Sequence, residues 1–172
     1  SINQAMYASI VQKTATSVST VAANADTKSI TYYKNGTGDE QADYTVKYAG
    51  TTVVDTTTYF YGGNRASSST INVAMTASQV ERTNALGTQI NIVALVGADA
   101  NTKSITYYAN GVGDEQADYT VKYAGTVAVD YTFYFYGTST SSARAGSSSI
   151  NKAMYASIVQ KTATSVSTVA AN

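Results

Sequence analysis

Two nine-residue loops hold the side chains best suited to chemistry. NGTGDEQAD at 35–43 and NGVGDEQAD at 110–118 set Asp39, Glu40 and Asp43, and then Asp114, Glu115 and Asp118, among glycines. Closely spaced carboxylate oxygens are what a hard cation such as Ca²⁺ takes as ligands, so these six residues are candidate calcium ligands. The spacing fits neither the EF-hand loop nor the glycine-rich nonapeptide repeat, and the plainer reading is a solvated acidic turn. A general acid/base pair is not expected from them. Neighbours on a strand point to opposite faces, and no supporting group converges on the carboxylates. The chain has no His and no Cys. It therefore lacks the usual general base near neutral pH, a thiolate nucleophile and the commonest zinc ligands. The expectation is a protein that is not an enzyme, with calcium as the one cofactor its residues suggest.

Two further features carry chemistry. Asn35-Gly36-Thr37 is an N-glycosylation sequon, which makes Asn35 an acceptor on an exposed turn if the chain is secreted. The second copy has Val112 in place of Thr37 and lacks the sequon, and Asn-Gly is itself a turn signal. Tyr is used 15 times against three Phe. Tyr59, Tyr61, Tyr134 and Tyr136 fall on one side of a long strand pattern, where they can stack on sugar rings or form the cross-strand pairs that hold a sheet.

The elements that must position these residues come in copies. Residues 27–33 (TKSITYY) recur at 102–108, residues 38–51 (GDEQADYTVKYAGT) recur unchanged at 113–126, and YFYG at 59–62 recurs at 134–137. This stretch is the B segment. An A segment precedes each copy: SINQAMYASIVQKTATSVSTVAAN at 1–24, and a diverged form near 70–98 that keeps Ile71, Asn72, Ala74, Met75, Ala77 and Ser78. A third A occupies 149–172 and differs from the first only by Lys152 in place of Gln4. The order A–B–A–B–A divides the chain into a module at 1–62, a Gly/Ser-rich linker at 63–69, a second module at 70–137, a linker at 138–148 and a final A. That last A reads either as the start of a further module in a longer array or as a tail that docks on a neighbouring copy.

B reads as β. Residues 29–33 are β-branched and aromatic, residues 43–48 alternate, and residues 51–61 make a long strand. A begins with a segment that suits helix or strand and continues as a strand, most clearly at 89–96 (QINIVALV). The fold expected is mainly β, two tandem small sandwich-like modules each opened by that ambiguous segment, with α+β as the alternative.

The two B copies differ in one informative way. Thr52, Thr56 and Thr58 become Val127, Tyr131 and Phe133, and simple alternation puts these on the side that also carries Val129 and Phe135. One module thus presents a Thr-rich face and the other an apolar one. Val127, Val129, Tyr131, Phe133 and Phe135 are candidate interface residues, together with Ile150, Met154 and Ile158 of the final A.

Composition agrees with association. Lys plus Arg and Asp plus Glu number 11 each and only 13% of residues are charged, so no long-range field draws in nucleic acid or an anionic membrane, or keeps copies apart. No apolar run is long enough for a membrane span, so membrane insertion is not expected. The reading is a structural repeat subunit of an extracellular or cell-surface fibre, filament or surface layer. Its partners would be copies of itself, joined by near-equivalent contacts or by strand addition of an A segment. The alternative is an adhesive or carbohydrate-binding repeat of a bacterial surface protein or phage tail fibre, with glycans as partners.

Overall fold

The computed structural model describes residues 4–15, 17–69, 71–146 and 149–161. These residues form eleven strands and no α-helix: β1 Ala8–Gln12, β2 Thr27–Lys34, β3 Gln41–Ala49, β4 Thr52–Tyr61, β5 Asn64–Arg65, β6 Met75–Arg82, β7 Thr102–Ala109, β8 Gln116–Ala124, β9 Val127–Thr138, β10 Ser141–Arg144 and β11 Met154–Gln160. The chain is mainly β, as its β-branched and aromatic runs predict. The A segment resolves to a strand in all three copies, without the helix of the α+β alternative. Ala8, Ile10 and their counterparts serve a sheet here, where the period is two.

All eleven strands belong to one antiparallel sheet, in the order β1-β2-β3-β4-β6-β7-β8-β9-β10, with β5 on β4 and β11 on β9. This connectivity does not confirm a sandwich in each module. The reason is the second A. β6 pairs with β4 on one side, from Asp55↔Arg82 to Tyr61↔Met75, and with β7 on the other, from Ala77↔Tyr107 to Glu81↔Thr102. It therefore continues one sheet through both copies of B.

Residues 89–96 do not form the strand their composition suggests. With β6 paired on both edges, no neighbouring ladder is open to them. They lie instead over one face of the sheet, where Val93, Val96 and Ala98 pack against Phe60, Ala77 and Ile105. Phe60 is fully buried, which is worth about 3 kcal/mol.

The two linkers are also tied in. β5 pairs with β4 through Phe60↔Arg65, and β10 pairs with β9 through Phe135↔Arg144. The β9–β10 return needs Gly137 at φ 125, because a Cβ there would lie 2.1 Å from the Ser141 carbonyl oxygen.

Candidate functional site

Among the described residues, no group of three carboxylates comes together as a metal site. The six candidate ligands are engaged in other ways. Asp43 forms a bidentate ion pair with Arg65, and Asp118 forms the same pair with Arg144. Each arginine comes from the short strand in a linker, and Arg144 also lies 4.7 Å from the centre of the Phe133 ring. Sequence reasoning missed these pairs. The signal was present, because both linkers carry an Arg-Ala pair ahead of a serine run, Arg65-Ala66 directly and Arg144-Ala145 with Gly146 between.

Glu40 and Glu115 serve the A strands. Glu40 accepts hydrogen bonds from the amides of Gly38 (2.9 Å) and Met6 (3.1 Å), and Glu115 from those of Gly113 (2.9 Å) and Met75 (3.3 Å). The Met6 amide holds the Glu40 carboxyl below its ordinary pKa, with its own amide and that of Gly38 adding to the effect. Each acidic loop thus fastens the start of the A strand beside its own B segment. Asp39 and Asp114 are exposed in the turns.

Asn35 lies at φ 75 and donates from Nδ2 to Gln41 Oε1 at 2.8 Å. Asn110 lies at φ 81 and makes the same bond to Gln116 at 2.9 Å, although it has no sequon. A turn role therefore accounts for asparagine in both copies. The tyrosines likewise hold the sheet. Tyr59 hydrogen-bonds Thr45 and Tyr134 hydrogen-bonds Thr120, both at 3.0 Å, while Tyr61 and Tyr136 donate to the carbonyls of Ala42 and Ala117. Burial pushes the Tyr61 hydroxyl up to about 12.

The eight candidate interface residues separate into groups. A bulge at Val129 lets Lys122 face Asp130 while Tyr123 faces Ala128. Simple alternation stops there, and Val127 and Val129 are left 65% and 45% exposed, away from the buried Phe133 and Phe135. Tyr131 is half-buried and stacks on Phe133. Ile158 lies opposite Phe133 on β11, Met154 lies opposite Tyr136 and is exposed, and Ile150 is half-buried in the turn before β11.

The structure joins these groups at two seams. In the inner seam, Thr58 faces Gln79 and Thr56 faces Glu81. Gln79 Nε2 donates to Glu81 and to the Gly97 carbonyl at 2.7 Å each, the Gly97 amide returns a bond at 3.0 Å, and Thr102 donates to Glu81 at 2.8 Å. Burial raises the Glu81 carboxyl pKa, and its Oε2 has no hydrogen-bond partner. In the outer seam, Phe133 faces Ile158 and Tyr131 faces Gln160. The Thr-to-aromatic change on the long strand is matched by Gln79-to-Ile158 on the A strand it touches, so each seam is internally consistent.

The sheet ends at A strands on both sides. β1 pairs with β2 and β11 pairs with β9, and the sheet order places no strand beyond either of them among the described residues. Residues 162–172 of the last A lie outside the described residues. No family model, no curated protein and no solved structure matches this chain.

Proposed function

We propose that the chain is a structural repeat subunit of an extracellular or cell-surface fibre, filament or surface layer, assembling through near-equivalent contacts between copies. One observation carries this reading. Among the described residues, each end of the sheet is an A strand paired on one edge only, whereas the inner A strand, β6, is paired on both. Open strand edges are templates for pairing with another chain, and proteins that stay apart blunt them with charge, Pro or a cover. The outward segments here, ASIVQ in both β1 and β11, carry no charged residue and no Pro. Contacts between unlike ends of identical copies extend into filaments wherever the rotation between copies does not close a ring.

The test is assembly itself. Concentrated protein is expected to form ordered fibres or sheets by negative-stain electron microscopy, with light scattering that rises with concentration. A chain that remains monomeric at every concentration overturns the reading. A glycan array tests the adhesive, carbohydrate-binding alternative, which the internally bonded tyrosine hydroxyls do not favour.

A further inference from the structure

We propose that copies join by sharing a single A strand: β11 of one copy takes the seat beside β2 of the next and displaces β1 from it. The inference rests on the assembly reading above and adds which strand joins, in what register, and which residues pair across the junction.

The inner seam is the template. Ala77, Ser78, Gln79 and Val80 of β6 face Tyr107, Thr106, Ile105 and Ser104 of β7. Ala8, Ser9, Ile10 and Val11 of β1 face Tyr32, Thr31, Ile30 and Ser29 of β2, which are the repeat counterparts. On its other edge β6 meets β4 in the register that β11 keeps with β9: Val80 faces Thr57 and Val159 faces Thr132. β1 and β11 are thus two halves of what β6 does alone, and both carry ASIVQ. One strand can fill both halves, with Ala156, Ser157, Ile158 and Val159 against Tyr32, Thr31, Ile30 and Ser29 of the next copy.

Three groups lack the partner that the inner seam supplies. Lys103 of β7 reaches past β6 to Asp55 of β4 at 3.0 Å. Their counterparts Lys28 and Asp130 make no ion pair among the described residues, and they lie at opposite ends of the sheet. Gln160 Oε1 is buried without a partner, at the position where Glu81 accepts from Thr102, the counterpart of Thr27. Val18 and Val21 are exposed above an open groove of about 270 Å³ against Ala8 and Ile10. Their counterparts Val93 and Val96 pack on the cluster of Phe60, Ala77 and Ile105, which spans the A strand and the strands on both sides of it. An incoming β9 brings Asp130 to Lys28 and extends the sheet face beside that groove, while its β11 brings Gln160 to Thr27.

The exchange conserves backbone hydrogen bonds, because one ASIVQ strand replaces another, and swapping identical elements is a low-cost route to association. β11 is paired from Met154 to Gln160 and β1 only from Ala8 to Gln12, so β1 is the strand released.

Disulfide trapping tests the register, helped by the absence of native Cys. The doubly substituted chain Ser29→Cys, Val159→Cys is expected to give a ladder of covalent multimers on mild oxidation, while Thr31→Cys with Val159→Cys, slipped by two residues, gives little. A second arm reverses charge. Asp130→Lys should weaken assembly about tenfold, and adding Lys28→Asp should restore it. Assembly without the ladder, or with equal trapping at both registers, overturns the shared strand and leaves the fibre reading standing. Failure of the unsubstituted chain to assemble overturns both.

Discussion

The inner strand β6 and the outer strand β11 hold the same place beside a long strand and solve the same packing problem with different chemistry. β6 is covered on both edges, and its inward positions are Gln79 and Glu81. A buried amide is tolerated there because the crossing segment brings the Gly97 carbonyl and amide to it, so the amide is hydrogen-bonded. β11 has Ile158 at the position of Gln79 and meets Phe133 rather than Thr58. Polar residues inside a fixed seam are held by partners that the chain always supplies. An apolar seam tolerates partners that arrive from elsewhere, because hydrophobic contact is non-directional.

The largest expected effect tests whether the matched arginines are equivalent. The Asp43 side chain is 0% exposed and that of Asp118 is 22% exposed. Arg65→Ala leaves a fully buried carboxylate without its partner and should cost about 3 kcal/mol in urea unfolding, with Arg144→Ala well below that. Equal losses would mean that the two pairs have the same environment.

A middle-sized effect separates the seams. Gln79→Ala removes the partner of both Gly97 groups and should cost about 2 kcal/mol. Ile158→Ala, on a half-covered edge strand, should cost the dilute protein less, about 1 kcal/mol. A larger loss from Ile158→Ala would mean that the outer seam is already complete in the single chain.

The smallest effect is a gain. Burial raises the Glu81 carboxyl pKa, so its folded value lies above its unfolded one. The ionised form therefore costs stability in full above the folded pKa, and that cost shrinks as pH falls through the folded pKa and is gone below the unfolded one. Gln12 and Gln160 stand at the same register in the outer strands. Glu81→Gln should raise Tm by a few degrees near neutral pH, about 1 kcal/mol, and the gain should shrink on acidification. A pH-independent difference between the two proteins would refute a buried, ionised Glu81.

Much of this was legible in the sequence. The strands of B, the Asn-Gly turns and the unequal faces of the long strand follow from period-two alternation and turn chemistry. The limits of that legibility lie at particular residues. Alternation groups Val127 and Val129 with Phe133 because it assumes an unbroken ladder, and the bulge at Val129 breaks it. Residues 89–96 have strand composition, but an apolar run of that length fits a face-covering segment equally well, and only the occupancy of neighbouring edges distinguishes the two. The acidic loops look like cation sites because their carboxylates are close in sequence. In space Asp43 turns to Arg65 and Glu40 to the Met6 amide.

By itself, the sequence determined that the chain repeats, that its B segments are strands, and that its first and last segments are copies of one another. Local spacing encodes all three, because side-chain periodicity and turn residues act over a few positions. The tertiary structure decided that the A segments are strands, that β6 joins the copies into one sheet, that linker arginines close over Asp43 and Asp118, and that an A strand stands at each end with one edge unpaired among the described residues. Those depend on which edge meets which strand, and edge pairing is a long-range choice that no short window of residues contains.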